Sequence, residues 1–441
     1  MASKPQGVIM ASRQDTRYGI WLAACVGSRP GAYSAVISEF GSARGAYNAD
    51  LSKAKPSGAL SRKIIAALAD KDLSEASRIA DFCSLNRIAV LFPSDEEYPA
   101  LLRDLPDLPA VLYVKGRLPD FSRIPAVSVV GTRKMTEYGM LMAYSMGYGL
   151  AKGGAAVISG MAAGGDSMSH CGALDAGGYT VAVLGCGVDR AYPTGNARLM
   201  QVIAERGAVI SEYPPGTEVR RQNFPERNRI ISGLSRAVIV TEADAHSGAL
   251  ITARRARLQA RAVFAVPGKV GEKGSAGVNS LLKDGAETAT NADDVLKDFL
   301  FLYPDAVSVN ASEMRSAEQA ELSAISYGID MGDYARERRK RTEEEKRSIP
   351  VPEIRIREAE KDIYISEKKE EAAVTEAELA LIDERTRAIF MSLPDTAFLP
   401  DEAAGAEFDC VDIMCALTLL EVNGLVRAVP GGRYKAKRRN I

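Results

Sequence analysis

Histidine is nearly missing from this chain: only His170 and His246 occur in 441 residues. That excludes His-rich metal clusters and most His-based proton relays. The six cysteines, Cys25, Cys83, Cys171, Cys186, Cys410 and Cys415, contain no Cys-x-x-Cys pair. Neither a disulfide framework nor a thiolate zinc site is expected, and the thiols are expected free and mostly buried. No apolar run approaches the roughly 18 residues that a membrane helix needs, and the start MASKPQGVIM has no signal-peptide core. The expectation is a cytoplasmic protein with no membrane insertion. A strong overall field is also absent, since the formal charge is −1. Any polyanion must therefore be held by a local basic patch, to be sought in loops.

Two nucleotide signatures are missing as well. The first central strand continues as GTRKMTEYG, not G-x-G-x-x-G, and no G-x-x-x-x-G-K-[ST] occurs. A redox dinucleotide or a P-loop nucleotide is thereby disfavoured. No nucleophile–base pair and no carboxylate dyad stands at motif-like spacing, so a binding role is preferred over catalysis, with no cofactor and no metal.

What is present is a repeated alternation of short Val- and Ile-rich runs with helical stretches. The runs are AVSVVG (126–131), AAVISG (155–160), TVAVLG (180–185), GAVISEY (207–213), RAVIVTEA (236–243) and RAVFAVPG (261–268). Continuous rather than alternating hydrophobicity is what a parallel strand covered on both faces requires. Between the runs lie Tyr138–Lys152, Ser167–Ala176, Asn196–Arg206 and Ala249–Gln259, each long enough for a right-handed crossover. The fold class expected is α/β, a Rossmann-like, doubly wound, mostly parallel sheet. Ligands of such sheets sit at the carboxyl ends of the strands. The loops that matter are therefore 131–134, 159–166, 245–248 and 267–269.

Length calls for two or three units. The division expected is an N-terminal tail (1–15), a small all-helical domain (16–90), the extended Rossmann-like core (91–300), a charged linker (301–375) and a C-terminal domain (376–441). Residues 91–116 read as strand, short helix and strand leading into the sheet. Tyr334–Glu370 holds 12 Lys/Arg and 10 Asp/Glu in 37 residues, too charged to bury a core. After it come two amphipathic helices, the second ending at Asn423-Gly424, and a strand–Pro-Gly-Gly–strand hairpin, an order that suits a winged helix.

Glycine-rich loops after strands let backbone N–H groups approach phosphate, and they also make tight turns with no ligand at all. Arg133, next to Thr132 and Lys134 in the first loop, carries a fork suited to phosphate. Arg227, Asn228 and Arg229 stand at the start of an apolar helix, where Arg227 could bind phosphate or pair with Glu226 or Glu242. Ser247, before Gly248, is either a helix cap or a ligand. His170 reads as a core residue, and His246 is loop-borne.

The stretches VVGTRKMTEYG, SGMAAGGD, AVLGCGVDRAYP, SEYPPGT, NFPERNRIISGLS, SGALITARRA and VFAVPG, in this order and spacing, closely resemble the DNA-processing protein A family, DprA or Smf. The resemblance covers nearly all of 126–290. More weakly, the N-terminal unit is similar to that family's sterile-alpha-motif-like domain and the C-terminal unit to its winged helix. It implies a single-stranded DNA binder that protects incoming strands during natural transformation and loads the RecA recombinase past single-strand-binding protein. It also implies a homodimer through the Rossmann core, without need of ATP or metal. Carried over by position, Arg133 matches the family's DNA-contacting Gly-Ser-Arg arginine, with Thr132 in place of Ser. Ser159, Gly160, Arg227, Asn228, Arg229, Ser247 and Gly248 match pocket-lining positions. The chain departs from the family at Ala163 and Gly165, where Arg and Ile are usual, at Thr194, where some members are basic, and at Gly27-Ser28-Arg29-Pro30-Gly31. Affinity is therefore expected to lean on Arg133, Lys134, Arg227, Arg229 and Lys269.

Two rival readings are set beside this one. Phosphoribohydrolases on the same Rossmann variant carry Pro-Gly-Gly-x-Gly-Thr-x-x-Glu after a core strand, but here the only Pro-Gly-Gly is at 430–432. A duplex-DNA regulator reading through the winged helix would use the basic tail Lys435-Ala436-Lys437-Arg438-Arg439, but the preceding helix is acidic at Glu376, Glu378, Asp383 and Glu384.

Overall fold

A computed structural model describes residues 13–309 and 314–329 and, farther on, most of 382–437. The charged stretch 334–370 lies outside the described residues. The chain divides into two compact units, one ending at Ser348 and one beginning at Ile349.

The first unit opens with five helices, α1 (Arg13–Val26), α2 (Ala32–Phe40), α3 (Ala43–Asn48), α4 (Arg62–Ala69) and α5 (Ser74–Leu85). Ser42 and Ser61 cap α3 and α4, their hydroxyls accepting from Gly45 and Ile64 N–H, which satisfies amides that the helix itself leaves unpaired. Leu22, Val26, Val36, Ile64 and Leu68 are buried together, and the same cluster continues into the sheet's helical layer through Met140, Met168 and Leu199.

β1 (Ile88–Leu91), α6 (Ala100–Arg103) and β2 (Leu112–Gly116) follow, the strand–helix–strand expected. Six strands of the central repeat then appear as β3 (Ala126–Val130), β4 (Ala156–Ser159), β5 (Thr180–Leu184), β6 (Ala208–Ser211), β7 (Ala237–Val240) and β8 (Ala262–Ala265), with β9 (Glu287–Thr288) added at the edge. The sheet order is β1-β2-β6-β5-β4-β3-β7-β8-β9. All pairings from β6 to β9 are parallel, whereas β1 and β2 join antiparallel. Strands β3 to β7 are buried along their whole length, which is why they read as unbroken apolar runs.

The crossovers α7 (Glu137–Lys152), α8 (Gly165–Asp175) and α9 (Ala197–Arg206) carry the chain from β3 outward to β6. It then returns across the sheet, and α10 (Asn223–Gly233), α11 (Gly248–Leu258) and α12 (Ala276–Lys283) build outward the other way from β7. Winding therefore reverses between β3 and β7, and the carboxyl ends of those strands open a crevice.

The short α13 (Asp293–Leu296) packs Val295 and Leu296 beside α7. Beyond it, α14 (Ala317–Ser326) packs on α7 and α8. This corrects the start of the linker. The small apolar face Ala320, Ala324 and Ile329 is buried, and Tyr327 OH donates to Asp175, which also accepts from Tyr144 OH, both at 2.8 Å. No helix among the described residues is long and apolar enough to cross a membrane.

The second unit contains α15 (Glu384–Ser392), α16 (Pro400–Ala403), α17 (Cys410–Val422) and an antiparallel hairpin of β10 (Val426–Val429) and β11 (Arg433–Ala436). Phe398 forms a bridge with Tyr434. Ile389, Phe390, Ile413, Leu417, Leu420 and Val426 make its own core. Gly424 and the turn 430–432 lie outside the described residues, as do the side chains of Cys410 and Cys415.

Candidate nucleic-acid interface

At the reversal point a cleft of about 560 Å³ is lined by the β3 loop (Gly131, Thr132, Arg133), by Ala162 and Asp166 at the start of α8, and by Tyr192. Its opposite wall comes from α10 (Phe224, Arg227, Asn228, with Arg221 just before it) and from the start of α11 (Ser247, Gly248, Thr252). The N-termini of α8, α10 and α11 thus all meet at one opening, each adding partial positive charge.

Close backbone contact makes this convergence possible. Gly164 has φ +86°, and a Cβ there would lie 2.2 Å from Thr132 O. Gly165 N donates to Thr132 O at 3.1 Å. A Cβ on Gly165 would sit 2.8 Å from Gly131 Cα, so this chain's glycine, where the resembled family has Ile, lets the two loops nest.

The charges lie at two depths. Arg133 is exposed at the mouth, and its guanidinium carbon lies 5.3 Å from the Phe224 ring centroid. Arg227 is buried at the floor, 5.8 Å from the same ring. Its Nη1 donates to Gly160 O at 2.8 Å and also to Val183 O. Burial lowers the Arg227 pKa to about 10, opposed by the nearby Asp166, so it remains cationic at neutral pH. The Asp166 carboxyl is pushed up by burial, partly offset by Arg227, and accepts from Gly131 N at 3.4 Å. Tyr192 packs on Phe224 at 5.2 Å. Two arginines and a tyrosine thus surround the half-buried Phe224 ring in the cleft lining, which places an aromatic surface for a base beside cations for phosphate.

Of the residues singled out from sequence, Thr132, Arg133, Arg227, Asn228, Ser247 and Gly248 line this cleft. Ser247 is also the helix cap, its Oγ accepting from Ala249 N at 3.3 Å. Lys134 is exposed beside them but not in the lining. Ser159 is fully buried, donating to Val129 O at 2.6 Å, and Gly160 gives the cleft only its bond to Arg227. Lys269 lies off the cleft and pairs with Glu272 at 3.2 Å. Arg229 is turned away: its side chain has no exposed surface, its Nη2 meets Glu212 at 2.5 Å, and its Nε lies 3.7 Å from Asp107. The expected phosphate contact is thereby corrected, because this guanidinium faces Glu212 and Asp107 and is not part of the cleft lining, whereas Arg227, also buried, is. Arg227 pairs with neither Glu226 nor Glu242. Glu242 instead accepts from Thr136 N at 2.8 Å and braces the start of α7. His170 is buried, 2.6 Å from Thr180 Oγ1, and His246 is exposed. The four cysteines with described side chains are free and buried.

Phe224, Tyr192 and Arg221 were not singled out. Phe224 stands at a helix start beside Pro225, in the same NFPERNR segment as the two arginines. Tyr192 comes from the β5–α9 loop and Arg221 from the loop just before α10, and neither carries a local signal.

Residues 89–300 match the family described as DNA recombination-mediator protein A. Protein Smf of Synechocystis is 44% identical over 209 residues, 47% of this chain and 52% of that protein. DNA processing protein DprA of Streptococcus pneumoniae is 42% identical over 214 residues, 48% of this chain and 75% of that protein. The chain thus spans about half the length of the first of these relatives and three quarters of the second. The solved structure of Streptococcus pneumoniae DprA superposes with a TM-score of 0.55 at 33% identity, covering 64% of this chain and 98% of that one.

Proposed function

The chain belongs to the DNA recombination-mediator protein A family, and from that premise we propose that it binds single-stranded DNA without catalysis, in the cleft between β3, α10 and α11. The arrangement of Arg133 and Arg227 about the Phe224 ring carries this reading. It supplies cations for a phosphodiester backbone and an aromatic face for a base, the two elements of sequence-tolerant single-strand binding. A duplex keeps its bases stacked inside and cannot use the ring. The further roles in this proposal are protection of incoming strands during transformation and recombination, with RecA loaded onto them past single-strand-binding protein by a cytoplasmic homodimer joined through its Rossmann core. We read the N-terminal helices as a sterile-alpha-motif-like domain and the second unit as a winged helix joined by the charged linker.

The test is fluorescence anisotropy with labelled oligo-dT and a matched duplex across salt concentrations, for the wild type and Arg133→Ala. Single-strand preference, affinity that falls with salt, and weaker binding by the variant are expected. Equal affinity for both forms, or indifference to Arg133, overturns the proposal.

A further inference from the structure

We propose that Asp107 is a positioning residue that fixes the spacing of the two helices walling the cleft, and thereby sets its affinity for single-stranded DNA. The inference rests on the reading above. α10 brings Phe224, Arg227 and Asn228 to the cleft, and α11 brings Ser247, Gly248 and Thr252. Each helix then turns one arginine to the same carboxylate oxygen: Arg229 Nε and Arg255 Nη1 each lie 3.7 Å from Asp107 Oδ2. Asp107 has a side-chain exposure of 14% and Arg229 of 0%, so water screens this pair weakly. Arg229 Nε and Nη1 have no hydrogen-bond partner, which leaves that end of the guanidinium dependent on the charge of Asp107.

The segment that carries the carboxylate is anchored on both sides of Asp107. Pro106 O accepts from Gly31 N at 2.6 Å, which ties its neighbour to the start of α2. The buried Tyr98 hydroxyl donates to Pro109 O at 2.7 Å. Leu102 and Leu105 press on Gly233 at the end of α10, where a Cβ would come within 2.6 Å of Leu105. Arg261, just past α11, donates to Leu101 O at 3.1 Å. Asp107 is thus a fixed post on the segment between the N-terminal helices and the sheet. Gln259 joins the same two helices farther along, accepting from Ser232 Oγ at 2.6 Å and donating to Arg229 O at 3.0 Å. A tie at Asp107 and another at Gln259 hold α10 and α11 as one unit, with their N-termini at a set separation.

The experiment exploits a sign. Removing a carboxylate near a cationic cleft tightens polyanion binding if charge alone matters, whereas loss of positioning weakens it. Asp107→Asn in the full chain keeps the side chain's shape, and its oligo-dT affinity is measured beside the wild type and Arg133→Ala. Expected is a Kd about three- to tenfold higher, with the salt slope unchanged because no phosphate contact is lost. Asp107→Glu should restore most of the affinity. In Arg255→Gln, which alters a partly exposed side chain, Kd should also rise without change in slope. Asp107→Asn binding as tightly as or more tightly than the wild type overturns the inference, as does a slope that drops in Arg255→Gln. A wild type that does not bind single strands overturns the functional reading instead.

Discussion

Arg227 and Arg229 stand two positions apart on α10, so the helix points them in nearly opposite directions. Arg227 faces the cleft and Arg229 enters a buried pair with Glu212. The sequence NFPERNR shows two equal cations. Which one meets a ligand depends on which face α10 packs against its neighbours, and a local pattern does not contain that. Removing one partner of a buried pair strands the other charge, so Arg229→Met should cost about 3 kcal/mol of stability. Urea unfolding checks it, and a loss of only a few tenths would show that Glu212 is not held by this arginine. His170 gives a pH signature. Burial lowers its pKa from 6.5 to about 3 in the folded chain. The unfolded chain therefore binds the extra proton between pH 6.5 and 3, and the contribution of His170, complete above 6.5, is lost as pH falls through that window. The slope is about 1.4 kcal/mol per pH unit. Asp166 and Glu212, raised by burial, shift stability in the opposite sense on acidification. The comparison is accordingly with His170→Gln, which shares those groups. The wild type should lose stability relative to the variant between pH 6 and 4, and parallel urea-midpoint curves would contradict the assignment.

Among elements, the central strands and their crossovers were legible because burial on both faces leaves an unbroken apolar run, and helix limits moved by only a residue or two. The helix expected at Ser167–Ala176 begins at Gly165, since glycine hides a helix start. The antiparallel addition of β1 and β2 was less legible, because pairing direction depends on where a distant edge lies. α14 was missed because alanines make a narrow stripe beside a highly charged stretch. The β4–α8 loop shows how an element's boundary sets a site. Gly164, at φ +86° and against Thr132 O, holds the start of α8 on the Arg133 loop. Gly164→Ala combines backbone strain with a backbone clash, a cost on the order of 1–3 kcal/mol. Both the melting temperature and oligo-dT affinity should fall. Unchanged values for both would mean that the two loops can separate without disturbing the cleft.

For the molecule as a whole, net charge −1 gives no general attraction to DNA, so binding depends on the few cations at the cleft. Arg133, Arg221 and Arg227 all lie within the first unit, which buries its own core from α1 to α14. The second unit closes a separate core around Phe390 and Leu420. If the three arginines carry binding, the logarithm of affinity should fall against log salt with a slope of roughly −2, at about −0.7 per phosphate on a single strand. A chain ending at Ser348 keeps every one of these contacts. Its oligo-dT affinity should stay within about twofold of the full chain at each salt concentration, with the same slope, because the removed part supplies none of the cations counted. A shallower slope after truncation would mean that basic residues beyond Ser348 touch the strand. Loss of binding altogether would favour the hairpin-bearing unit as the DNA reader.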